Sequence, residues 1–129
     1  MKYIVHKHFR GRAICGEVDI PIMTECEKTE GMITLNGKAI CAAISENAHR
    51  YFARDDDGNG IKRGRLIRRI KNLLEKRDGA YQIRWDKIWA DGRCQKYKRK
   101  SFPDYWLWNH AFYNADIDDL VYIAKLIGA

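Results

Sequence analysis

Asp55-Asp56-Asp57-Gly58-Asn59-Gly60 gathers three carboxylates and an amide oxygen in one short run, the donor chemistry of a calcium loop. Asp55, Asp57 and Asn59 fall on the first three oxygen-ligand positions of such a loop, and Gly60 falls on its turn position. The closing position, where a bidentate Glu belongs, holds Leu66, and Lys62, Arg63 and Arg65 add charge of the wrong sign. Adjacent carboxylates in one turn also do not converge on one magnesium ion, so a metal-dependent nuclease centre is not expected. The run reads as a Gly-rich turn connecting helices, with its acids close to the start of a basic helix.

Two further groups have reactive side chains. His6 and His8 share a face if Tyr3–Phe9 is a strand, and either could join Cys15, Cys26 or Cys41 around zinc. Structural zinc sites supply a close pair such as CxxC, and His6-Lys7-His8 is the one short pair here, so buried thiols and surface histidines are the plainer reading. His49 and His110 remain for acid–base work, His110 lying among rings that would desolvate it. Neither Ser45 nor any cysteine stands in a nucleophile motif, and no GxSxG, P-loop or GxGxxG occurs. No catalytic residue, metal ligand or cofactor is assigned, and an enzyme is the less favoured reading.

The stronger signal is electrostatic. Residues 60–100 hold fifteen Lys/Arg against four acids, a local balance of +11, whereas residues 1–59 sum to −1 and residues 101–129 to −3. A single-sign block in a small basic protein points to a polyanionic partner, most often nucleic acid. On a helical wheel Leu66, Ile67, Ile70, Leu73 and Leu74 form one apolar stripe of a helix over Ile61–Arg77. Arg65, Arg68, Arg69, Asn72 and Lys76 then fall on the opposite face, three or four apart, as one continuous strip. A second cluster follows at Arg93, Lys96, Lys98, Arg99 and Lys100, with Tyr97 inserted. Aromatics crowd the same half: Tyr81, Trp85, Trp89, Phe102, Tyr105, Trp106, Trp108, Phe112 and Tyr113. Cations mixed with rings suit single-stranded nucleic acid, although a small helical half also needs large rings for its core, as Trp85 and Trp89 suggest.

The elements that must position these residues are legible in outline. Tyr3–Phe9 reads as a strand ending at a hairpin loop, Arg10-Gly11-Arg12, and Ala13–Ile22 as a second strand region interrupted near Gly16 and closed by Pro21. Thr24–Gly31 reads as a polar connection. Met32–Leu35 and Lys38–Cys41 flank Asn36-Gly37, the preferred pair for a type I′ hairpin turn. From Ser45 the period becomes helical: a short helix capped by Ser45 and running through Phe52, the basic helix, and a third helix from Ala80 that breaks near Asp91-Gly92. Pro103 opens an aromatic helix through Asn114, and Ile117–Ile127 forms the last, with Asp118 and Asp119 in its first turn. The expected fold is α+β in one domain: a small antiparallel sheet of N-terminal hairpins over residues 1–44, then a helical half of four to five helices over residues 45–129.

The N-terminus lacks an apolar signal region, and no apolar run reaches the length of a membrane span. Without a CxxC pair or a secretory context, the four cysteines read as reduced thiols, and the expected location is the cytoplasm.

Several stretches carry a resemblance: Ser45–Arg54 followed by Asp56–Gly60, Arg84-Trp85-Asp86-Lys87, Tyr105–His110 and Phe112–Asp118. Together they resemble small uncharacterised prophage and mobile-element proteins of Gram-positive bacteria. The resemblance implies a host-cell setting in which such proteins act on nucleic acid or bind host machinery, and it assigns no residue a role. The expectation is a non-catalytic phage-type protein that binds nucleic acid or a nucleoprotein through the basic helix and the tract after it. The alternative is an inhibitor or adaptor for a host protein, docking through the acidic C-terminal helix or an aromatic patch.

Overall fold

Short alternating segments separated by glycine turns dominate the first third of the chain, and in the computed structural model they pair into antiparallel sheets. The structure describes residues 1–97 and 114–129. It is α+β, with seven strands and four α-helices among the described residues: β1 Lys2–Val5, β2 Phe9–Ala13, β3 Gly16–Ile20, β4 Glu25–Thr29, β5 Met32–Leu35, β6 Lys38–Ala42, α1 Glu46–Tyr51, β7 Phe52–Arg54, α2 Gly60–Glu75, α3 Tyr81–Ala90, and α4 Ile117–Ile127. Residues divide into two compact units, Met1–Arg65 and Leu66–Ala129.

In the first unit a five-stranded antiparallel sheet has the order β6-β5-β4-β1-β7, and β2 and β3 form a separate hairpin. The Asn36-Gly37 turn forms as expected, with φ of 53° and 79°, the double positive φ of a type I′ turn. Glu30-Gly31 repeats it between β4 and β5, with φ of 52° and 77°. Tyr3, Val5, Cys26, Ile33 and Cys41 build the core of this unit together with Phe9, Ala13 and Ile20 from the hairpin and Phe52 from β7. Phe9 packs edge-on to Tyr51 at 4.8 Å between ring centres.

Three expected boundaries are corrected. Arg10-Gly11-Arg12 lies inside β2, because Phe9 and Ala13 point inward on either side and the chain reverses instead at Ile14-Cys15. Thr24–Gly31 holds a strand, β4, in which buried Cys26 alternates with exposed Glu25 and Glu27. The first helix stops at Tyr51, and Phe52–Arg54 pairs with β1 as the edge strand β7. Ser45 does cap α1, its Oγ accepting from Ala48 N at 3.2 Å.

The second unit packs Leu66, Ile67, Ile70 and Leu74 of α2, Trp85 and Ile88 of α3, and Leu120, Ile123, Ala124 and Ile127 of α4 into its own core. Trp85 is buried, with Nε1 donating to Leu74 O at 3.2 Å, whereas Trp89 is partly buried at the margin. α3 ends at Ala90 with Asp91 as its cap, a 3-10 turn spans Gln95–Tyr97, and Gly128 closes α4 at φ 79°. The expected helix from Pro103 to Asn114 lies outside the described residues, apart from Asn114 in a turn. Among the described residues no helix is long and apolar enough to cross a membrane.

Candidate nucleic-acid interface

The basic strip depends on α2, and the local sequence seats that helix firmly. Ile4 and His6 alternate onto one side of the β1 segment, and Gly60 and Gly64, one helical turn apart, lie directly against them. A Cβ at Gly60 would meet Ile4 and Asp55, and one at Gly64 would collide with the His6 side chain, 2.1 Å from its Cγ, so glycine is required by close approach at both positions.

The turn before α2 is a salt-bridged latch. Asp55 Oδ1 accepts from Gly60 N at 2.7 Å, and Asp57 Oδ1 accepts from Asn59 N at 3.0 Å. Arg63, fully buried, reaches back to grip both oxygens of Asp57, at 3.1 and 2.5 Å, and donates to Arg54 O at 2.5 Å. Arg54 Nε pairs with Asp56 at 3.0 Å. The Arg63 hydrogen bonds hold the Asp57 carboxyl well below the usual carboxylate range. The three acids therefore face guanidinium groups and backbone N–H groups, and the calcium-like run is a strand-to-helix turn rather than the expected helix-to-helix connection.

The other constellations also come apart. His6 is buried and donates from Nε2 to His49 O at 3.3 Å, while His8 is exposed and pairs with Asp19, so the two do not share an environment. Cys26 and Cys41 are buried and Cys15 is exposed. Burial pushes the Cys26 thiol up to about 11 and raises that of Cys41. Among the described residues no group of three His, Cys, Asp or Glu side chains is placed to hold a metal ion. His49 is buried in α1, and His110 lies outside the described residues.

The cations of the basic block separate into two populations. Arg84 is buried and gives its guanidinium to Asp78, at 2.9 and 3.3 Å, and to Lys76 O at 2.7 Å, closing the C-terminal end of α2. Arg93 Nε donates to Asp119 Oδ1 at 2.8 Å and its guanidinium stacks 4.7 Å over the Tyr122 ring. Lys96 Nζ and Tyr97 Oη both reach Asp119 Oδ2 at 2.5 Å. Burial alone would raise the Asp119 carboxyl, but Lys96, Tyr97 and Arg93 together outweigh it and hold it at about 2. Arg93 and Lys96, expected as phosphate contacts, are thus tied to α4, with their outer surfaces still exposed.

The outward face of α2 is different. Arg65, Arg69 and Asn72 are exposed and Arg68 is half-buried; Lys76, also exposed, falls just past the helix, which ends at Glu75 rather than at the expected Arg77. Among the described residues no acid lies within ion-pair distance of Arg65, Arg68 or Arg69, and Lys76 has only Asp78 at 3.8 Å. Among the exposed cations outside the expected set are Lys62 of α2, Lys87 of α3 and Arg77, just past the end of α2. For Arg77 the partner is a ring: it stacks at 4.4 Å on Tyr81, four positions further along at the start of α3, and that spacing was its signal. Lys98, Arg99 and Lys100 lie outside the described residues, as do Phe102, Tyr105, Trp106, Trp108, Phe112 and Tyr113.

No protein-family model matches the chain, and neither does any curated protein or solved structure.

Proposed function

We propose that this chain is a small non-catalytic protein of prophage type that binds nucleic acid, or a nucleoprotein, through the outward face of α2. The observation that carries the reading is the set Arg65, Arg68 and Arg69: cations on one helix with no acid in reach among the described residues. Each guanidinium is a planar fork suited to two phosphate oxygens, and a regular helix holds such forks in register. Lys76 extends the row, and Arg93 and Lys96 with the Lys98–Lys100 run supply further positive charge.

Fluorescence anisotropy of labelled DNA and RNA, titrated at low and near-physiological salt, tests the reading. Binding at micromolar concentration that weakens steeply with salt is expected, because neutralised phosphates release their counterions. Replacing Arg65, Arg68 and Arg69 together by Glu should abolish that binding with the circular dichroism spectrum unchanged. Binding undiminished in that variant would overturn the assignment of the face.

A further inference from the structure

We infer that the free edge of β3 docks an extended segment of another protein, one whose side chains alternate between cationic and apolar. The edge lies in the first unit, and its role does not depend on the function proposed for α2.

β3 pairs with β2 and with no other strand among the described residues, and Gly16, Glu17 and Asp19 along it are exposed. A strand paired on one side directs a row of backbone N–H and C=O groups outward, which a further strand can take up. The five-stranded sheet closes its edges with its own chain. On β6 the Ala39 and Ile40 carbonyls accept from Cys15 N and Ile14 N, both at 3.0 Å, and on β7 the Arg54 carbonyl accepts from Arg63.

β2 shows what β3 accepts beside it. In their register Arg10 faces Asp19 and Arg12 faces Glu17, while Phe9 faces Ile20 and Gly11 faces Val18. One side of the hairpin is thus a ladder of opposite charges. The other is apolar, with Phe9 and Ile20 buried and Val18 half-buried at the margin of the core. A strand added on the free side meets the same alternation, Glu17 and Asp19 on one face and Val18 on the other. Asp19 already has His8 and, at 4.0 Å, Arg10, but Glu17 has no ion-pair partner among the described residues.

A second copy of β3 does not fit. Antiparallel self-pairing centred on Val18 sets Glu17 against Asp19 twice, and like charges directly opposite are destabilising. The turns at the two ends of β3 add exposed apolar side chains, Ile14 before it and Ile22 and Met23 after it. Met23 is held at φ 75°, where glycine is usual, so this turn keeps a large apolar side chain exposed in spite of the backbone cost.

The test uses a fluorescein-labelled peptide, Val-Arg-Val-Arg-Val-Arg-Val, its counterpart with Gln in place of Arg, and the fully N-methylated Arg peptide. Anisotropy measures binding to the full chain and to the Glu17→Lys and Glu17→Gln variants, and amide hydrogen exchange locates it. Expected is millimolar or tighter binding of the Arg peptide, with a preference of about five-fold over the Gln peptide. Exchange at Gly16–Ile20 should slow on binding. Glu17→Lys should remove the preference and Glu17→Gln should reduce it with the circular dichroism spectrum unchanged, whereas N-methylation, which takes away the backbone donors, should abolish binding. Binding that survives N-methylation, or that leaves exchange at β3 unchanged, would be charge attraction elsewhere on the chain and would overturn the inference, as would no binding at millimolar concentration. A dimer seen by sedimentation equilibrium and lost in the Val18→Lys variant would also overturn it, by giving the edge to a second copy.

Discussion

The turn that leads into α2 and the outward face of that helix contain the same guanidinium groups and put them to opposite uses. In the turn, Arg63 is fully buried and clamped on Asp57, and Arg54 lies across Asp56. On the face, Arg65 and Arg69 point to solvent with no acid near them among the described residues. Arg63 and Arg65 are two positions apart, which on a helix puts them on different sides. Positive charge summed along a sequence therefore overstates what a partner can meet. What matters is whether a carboxylate from the preceding turn or a neighbouring helix has already reached the cation.

The largest effect expected from this contrast comes from the turn. Arg63→Ala leaves Asp57 and the Arg54 carbonyl without their buried donor and should destabilise the fold by about 3–5 kcal/mol, measured by urea unfolding. A loss under about 1 kcal/mol would mean that Arg63 belongs with the outward cations. Next is the seat of the helix: Gly64→Ala drives a methyl group into His6 and should cost about 1–3 kcal/mol in the same assay.

Acid offers a smaller reading, on the paired side of the contrast. The Asp119 carboxyl is depressed in the folded state, to about 2 from an ordinary 3.8, so its contribution is complete above the ordinary value and is lost as pH falls from there toward 2. Asp119→Asn should flatten stability against pH in that window, and an unchanged acid profile would show that the Arg93–Lys96–Tyr97 cluster does not depend on this charge. The smallest effect belongs to the face itself. Arg68→Glu/Arg69→Glu should shift the unfolding free energy by no more than about 0.5 kcal/mol while removing affinity, because neither side chain has an ion-pair partner among the described residues to lose.

Elements with a strong local period were readable in the sequence. Ile117–Ile127 has the limits its apolar spacing and Asp-rich first turn indicate, and the stripe Leu66–Leu74 faces the core. Asn36-Gly37 announced its hairpin because both residues tolerate positive φ. Glu30-Gly31 makes a turn of the same kind unannounced, since a Glu at φ 52° is imposed by the strands it joins. β4 was hidden because Cys26 is its one fully buried position, so too few apolar residues alternate to show a period. Phe52–Arg54 continues a helical pattern and becomes strand through its pairing with β1, a tertiary effect outside any local window.

For the candidate face, exposure of Arg65, Arg69 and Lys76 followed from the helical wheel. The engagement of Arg93 and Lys96 did not, because Asp119 lies more than twenty positions further along and meets them only through the packing of α4.

The distribution of the cysteines has a practical consequence. Cys15 sits exposed in the turn between β2 and β3, whereas Cys26, Cys41 and Cys94 are buried, with burial pushing Cys94 up to about 12. Cys26 and Cys41 belong to the core of the first unit and Cys94 to that of the second. An alkylating reagent at neutral pH should thus mark the native chain once, at a hairpin remote in sequence from α2. Additional modification then becomes a clock for opening, and peptide mapping of the adducts tells which of the two cores came apart first.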